Sequence, residues 1–181
     1  MVPFRKISLF VQLILVLHLA KEISAKFEFT NIKCETFSPT FNDFEYCFLK
    51  SVNRTYKYAS LRARLHQVPI TKIKVHFVLY QRLNGYKPFL YNMTVDACKF
   101  LKNRKRYPVV KFFYEIVEAY SNINHTCPYS HDVIFDKLPA NFVNHRLTDI
   151  LPVPKGDYML ETNWIAYDIN RAVIKFYGTL S

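Results

Sequence analysis

Between Ile73 and Leu79 apolar and polar side chains alternate without a break. Ile73, Val75, Phe77 and Leu79 fall on one face of an extended chain, opposite Lys72, Lys74 and His76. A period of two marks a strand with one face in a core and the other in water. Leu61, Ala63 and Leu65 alternate in the same way with Arg62, Arg64 and His66. Looser alternation runs from Phe27 to Cys34 and from Phe44 to Val52, where Phe44, Tyr46, Phe48 and Val52 are expected on one side. Asn84-Gly85 predicts a hairpin turn, with the chain returning through Phe89, Tyr91, Met93 and Val95. After a turn at Gly156-Asp157 come two more strand patterns, Tyr158 to Tyr167 and Arg171 to Tyr177. Tyr158, Leu160, Thr162, Trp164 and Ala166 share a face of the first, and Ala172, Ile174 and Phe176 a face of the second. So many half-apolar strands need facing partners, which predicts a mainly β fold, a two-sheet sandwich of six or more strands.

The period changes once. Val109, Phe112, Phe113, Ile116, Val117 and Tyr120 recur at spacings of three and four, which predicts a helix from Val109 to Tyr120 with Pro108 in its first turn. A shorter helical piece is expected near Asp96 to Leu101, and a basic loop, Lys102 to Arg106, between the two. Pro128, Pro139, Pro152 and Pro154 are expected to break the following stretch into short segments. No repeat, low-complexity tract or linker interrupts the pattern, so a single domain is expected over residues 26–181.

The first 25 residues read as a signal peptide. Arg5 and Lys6 precede an apolar run from Ile7 to Ala20, too short to span a bilayer comfortably, and Ile23-Ser24-Ala25 offers a small residue at a cleavage point after Ala25. Without that leader, which carries Arg5, Lys6 and Lys21 against Glu22, 156 residues remain and the net charge of +11 falls to near +9. Four cysteines lie in the exported part, at 34, 47, 98 and 127, and an even number in an oxidising compartment is expected to pair. Three connectivities are possible. Cys34 and Cys47 lie close together in neighbouring strand patterns, and Cys98 and Cys127 bracket the helix, which favours 34 to 47 and 98 to 127. No two cysteines have the short spacing of a structural zinc site. The sequons Asn53-Arg54-Thr55, Asn92-Met93-Thr94 and Asn124-His125-Thr126 agree with export and would place Asn53, Asn92 and Asn124 on the surface as glycosylation sites.

Candidate chemistry is sparse. Of the histidines at 66, 76, 125, 131 and 145, His66 and His76 fall on basic strand faces, and a glycan on Asn124 would crowd His125. His131-Asp132 resembles the pair of some metal-dependent phosphohydrolases, but no further His or Asp stands at ligand spacing. There is no nucleophile elbow and no free cysteine once both disulfides form. With only Gly85, Gly156 and Gly178, a glycine-rich phosphate loop is excluded. No catalytic residue, metal site or cofactor is therefore expected, and the chain is read as a binding protein. The basic cluster Lys102, Arg104, Lys105 and Arg106 has three readings: a solvated loop, a surface for anionic headgroups or glycosaminoglycans, or a processing site at Lys105-Arg106. Export argues against nucleic acid as a partner. Sixteen Phe, thirteen Tyr and one Trp make up 17% of the chain, an excess that suits either a core of large side chains or the wall of an apolar ligand cavity.

Ordered motifs carry a family resemblance. Phe29-Thr30-Asn31-Ile32-Lys33-Cys34, Cys47-Phe48-Leu49-Lys50-Ser51-Val52-Asn53-Arg54, Asn84-Gly85-Tyr86-Lys87-Pro88-Phe89-Leu90-Tyr91-Asn92 and Asp96-Ala97-Cys98-Lys99-Phe100-Leu101 follow one another, before Asn124-His125-Thr126-Cys127-Pro128-Tyr129 and Pro154-Lys155-Gly156-Asp157-Tyr158. Over nearly all of the exported chain they resemble the insect family of secreted proteins of unknown function that includes the CheB chemosensory proteins. That family is in turn similar to the lipid-recognition ML superfamily and the ganglioside activator protein. The resemblance implies an immunoglobulin-like, ML-type β-sandwich cup with one or two short helices, a Cys98 to Cys127 bridge, and lipid between the sheets. The expected function is that of a secreted carrier or co-receptor for a lipid, hydrocarbon or pheromone-like molecule, with a cell-surface receptor or anionic membrane as a further partner. Phe77, Leu79, Phe113, Tyr158, Leu160 and Trp164 are the expected cavity residues. The alternative is an extracellular protein-interaction module with a filled core, acting through its basic glycosylated surface.

Overall fold

The computed structural model describes residues 26–54, 56–150 and 153–181. The expected leader, its cleavage point after Ala25, Thr55 and Pro152 lie outside the described residues. Eight strands occur among the described residues: β1 Phe27–Thr36, β2 Asn42–Ser51, β3 Lys57–Leu65, β4 Ile73–Leu83, β5 Gly85–Asp96, β6 Val133–Pro139, β7 Gly156–Ala166 and β8 Ile169–Leu180. They form a five-stranded sheet in the order β1-β8-β7-β4-β5 and a three-stranded sheet in the order β2-β3-β6, with every pairing antiparallel. The two sheets close on one another through Ile32 and Ile174 of the large sheet and Ala59, Leu61 and Phe135 of the small one. The expected sandwich is borne out.

Register explains which residues face inward. Leu79 lies opposite Leu160, which lies opposite Phe176, and Val75 lies opposite Trp164, which lies opposite Ala172. The faces read from the alternation of β4, β7 and β8 are therefore the inner ones. β2 departs from expectation. Its register slips between Phe44 and Tyr46, so that Phe44, Cys47 and Leu49 pack into the core while Phe48 is 40% exposed. One extra residue in a strand moves everything beyond it to the other face, which corrects the placement of Tyr46 and Phe48 beside Phe44. β1 slips likewise between Phe29 and Asn31, which turns Ile32 and Cys34 inward.

Both disulfides form with the connectivity favoured by spacing. Cys34–Cys47 ties β1 of the large sheet to β2 of the small one, and Cys98–Cys127 ties the first helix to the loop before β6. Three α-helices occur among the described residues: α1 Ala97–Lys102, α2 Pro108–Glu118 and α3 Ala140–Ile150. The Asp96 carboxylate caps α1 by accepting from the Lys99 N–H at 2.9 Å. α2 starts with Pro108, as its period predicts, and a single 3-10 turn, Arg104–Arg106, sits in the basic loop.

The stretch expected to be broken by prolines instead holds β6 and α3. Pro139 is the last residue of β6, which lies at the edge of the small sheet, where a missing N–H is tolerated. Lys137, with φ 51°, adds an irregularity that hides the alternation of Val133, Phe135 and Leu138. α3 begins directly afterwards and packs Ala140, Val143 and Leu147 against α2 and β1. No helix among the described residues is long and apolar enough to cross a membrane.

Candidate ligand cavity

β4, β7 and β8 form the floor of the site and α2 its roof. Phe113 on α2 points down between them, its ring centroid 5.6 Å from that of Phe77 and 5.5 Å from that of Tyr91. On one side of it lies a chamber of about 110 Å³, lined by Leu79, Ile116, Tyr158 and Leu160 and closed by Phe27 and Phe29 of β1 and Val143 and Leu147 of α3. On the other lies a chamber of about 150 Å³, lined by Phe77, Val95, Phe100, Tyr114, Leu160 and Trp164. Phe113, Val117, Leu160 and Phe176 wall both chambers. A third space of about 70 Å³ lies beyond Trp164, next to Phe41, Leu61 and Ile70.

All six residues expected at the cavity line one or both chambers: Leu79 and Tyr158 the first, Phe77 and Trp164 the second, Phe113 and Leu160 both. Missed were Phe27, Phe29 and Phe176, which depend on how β1 and β8 pair, and the whole contribution of α3. Gly178 is the close-approach point at one end. A Cβ there would overlap the Phe27 ring, which would have to shift to make room.

Polar atoms near the chambers are already committed. The Trp164 indole N–H donates to Thr162 Oγ1 at 3.1 Å, and the Thr162 hydroxyl donates to the Ile174 carbonyl at 3.3 Å. Tyr158 donates to the Pro154 carbonyl at 2.5 Å. Tyr114 reaches Glu118 Oε1 and the Ile123 carbonyl, each at 3.2 Å, and Tyr129 reaches the Ile123 and His125 carbonyls at 3.1 and 3.0 Å. Burial raises the Tyr114 hydroxyl above its ordinary pKa and pushes Tyr129 up to about 12, so both stay neutral. Such walls favour apolar contents, because a polar group placed inside would lose its hydration without gaining a partner.

Outside the chambers, His131 and Asp132 do not converge on a common point. Asp132 Oδ2 accepts from Arg62 Nε and Nη2 at 3.0 and 2.7 Å, and this pairing holds its carboxyl below the usual carboxylate range. The His131 ring turns instead to His125. The basic loop divides as well: Arg104 is half-buried, bonded to Glu118 at 2.5 Å and laid over the Tyr114 ring, whereas Lys102, Lys105 and Arg106 are exposed. Asn53, Asn92 and Asn124 are all exposed, and Asn92 Oδ1 lies 2.9 Å from His76 Nε2.

A family model matches the middle of the chain. Its description is Protein of unknown function (DUF1091), and it covers residues 75–160, from β4 into β7. The family resemblance is borne out. The matched DUF1091 segment contains Cys98, Cys127 and five of the six expected cavity residues, Trp164 lying just beyond it. No curated protein is significantly similar in sequence. Among solved structures, a Niemann-Pick type C2 protein from Japanese carpenter ant is 11% identical with a TM-score of 0.36, covering 83% of this chain and 96% of its own. Chicken MD-1 complexed with lipid IVa is 14% identical with a TM-score of 0.36, covering 86% of this chain and 96% of its own.

Proposed function

We propose that the chain is a secreted binding protein that takes a lipid, hydrocarbon or pheromone-like molecule between its large sheet and α2, as a carrier or co-receptor in chemosensation. The observation that carries this reading is the pair of apolar chambers sharing Phe113, Val117, Leu160 and Phe176 as walls. A dry apolar cavity of roughly 150 Å³ accepts a benzene-sized guest. The larger chamber therefore suits a ring and the smaller a short run of methylenes, and the two together suit a longer chain. A filled-core interaction module would have no use for these voids, since unfilled apolar space costs stability. Exposed Lys102, Lys105 and Arg106 suit a receptor or an anionic membrane surface from which ligand is collected or to which it is delivered. The reading assigns no catalytic residue.

Native mass spectrometry of the secreted protein is expected to show bound apolar mass released by organic extraction, and the emptied protein is expected to take up a fluorescent fatty acid. Leu160→Phe, which intrudes on both chambers, is expected to weaken uptake on the order of tenfold while overpacking costs about 1 to 3 kcal/mol of stability. A protein isolated empty that takes up no apolar probe would sink the proposal.

A further inference from the structure

His125 and His131 lie six positions apart in the loop between α2 and β6, and their Nε2 atoms meet at 2.7 Å. The other nitrogen of each ring rests on a backbone carbonyl: Nδ1 of His125 is 2.7 Å from the Thr126 oxygen, and Nδ1 of His131 is 2.9 Å from the Asp132 oxygen. A carbonyl only accepts, so each Nδ1 in these contacts carries the ring proton. One further proton between the two Nε2 atoms makes their contact a hydrogen bond, and an ion that takes that proton's place meets both Nε2 lone pairs. The competing tautomer, with His131 Nδ1 accepting from Asn122 Nδ2 at 3.2 Å, would set a lone pair against the Asp132 carbonyl, which is the nearer group. Asn122 Nδ2 already donates to that same carbonyl at 2.7 Å.

The surroundings fix the His125 ring and the loop that carries His131. The His125 ring lies on that of Tyr129, with centroids 4.4 Å apart at 35°, and the Tyr129 hydroxyl donates back to the His125 carbonyl. Cys127, between the two histidines, is anchored by its bond to Cys98. Asn122 Oδ1 accepts from the Ile134 N–H at 2.9 Å and holds the far end of the loop to β6. A histidine oriented by a carbonyl on one ring nitrogen, with the other nitrogen's lone pair presented, is in the state that metal ligation uses.

We propose that His125 and His131 form a two-imidazole site for a borderline divalent transition ion such as zinc or copper(II). Imidazole nitrogen suits these ions, and Zn–N bonds of about 2.0 to 2.1 Å require the two Nε2 atoms to part by less than about 1 Å. His131 is exposed and has room to make that movement. Asp132 is held by Arg62 and supplies no third ligand, so water completes the coordination and the site is open and of modest affinity. Tyr129 and Ile123 line the larger chamber, which places the ion on the outer side of that chamber's wall.

The test is a zinc titration of the intact, disulfide-bonded protein, followed by calorimetry and by the imidazole nitrogens in long-range proton–nitrogen NMR. The expected result is one equivalent bound, with the Nε2 resonances of His125 and His131 moving together. Affinity should fall on the order of tenfold or more in His125→Gln or His131→Gln and hold in His76→Gln. Circular dichroism and a thiol assay establish that the variants fold, and the wild-type NMR readout decides the matter if they do not. Unmoved Nε2 resonances in excess zinc, or equal binding by the folded double variant, would overturn the site.

Discussion

Gly178 shows how one absent methyl shapes the end of a cavity. Its Cβ would collide with the Phe27 ring and press on the Glu28 carbonyl, and both Gly178 and Phe27 line the smaller chamber. Gly178→Ala is expected to cost about 1 to 3 kcal/mol in urea unfolding, as overpacking does. The cost should shrink when Phe27→Ala is added, and additive costs in the double mutant would mean that the ring is not the obstacle. Asp168 belongs to a different balance. With Tyr167 it makes the two-residue turn between β7 and β8, where both have positive φ, and Lys72 and Lys74 donate to its carboxylate. Those bonds depress its carboxyl from 3.8 to about 2. A depressed acid contributes stability above its unfolded pKa and loses it as pH falls through the folded one, so this contribution should vanish between about pH 4 and pH 2. Unfolding curves across that window should be flatter for Asp168→Asn than for the wild type. Parallel curves would show that the lysines do not act on the fold through Asp168.

Strands were legible where alternation is unbroken and misread where a single residue is inserted. β3, β4, β7 and β8 present the faces that their period of two predicts, whereas the slip between Phe44 and Tyr46 puts Phe48 outside and Cys47 inside. A bulge leaves no mark in composition, because its extra residue is set by the partner strand and not by local preference. Helix α2 was legible from its period and from Pro108. α3 was not, since its apolar stripe is thin and a proline stands just before it. The same division runs through the cavity. Its β4 and β7 walls follow from the alternation, while Phe27, Phe176 and Val143 reach it only through tertiary pairing. The slips in β1 and β2 also bring Cys34 to Cys47 and so carry the link between the sheets.

For the molecule as a whole, the two bridges close loops of different length, with sequence separations of 13 and 29 residues. Chain-entropy reasoning gives about 3 kcal/mol for the first and about 3.5 kcal/mol for the second. Replacing either pair with serines should therefore lower the denaturation midpoint substantially, slightly more for Cys98 and Cys127. The Cys98 and Cys127 pair should also affect ligand retention more, because the helix and loop it joins place Phe100, Ile123 and Tyr129 in the wall of the larger chamber. Equal retention in both variants would detach binding from that link. Phe113, shared by both chambers, has a consequence for how such a protein would sort molecules. A partition in which one aromatic ring stands beside Val117, Leu160 and Phe176 gives capacity two steps instead of a continuous scale. Guests that fit one compartment enter at no cost to the ring, and the first guest too long for it must swing Phe113 away from Phe77 and Tyr91 all at once. Selectivity would then show as a sharp break in affinity at one chain length.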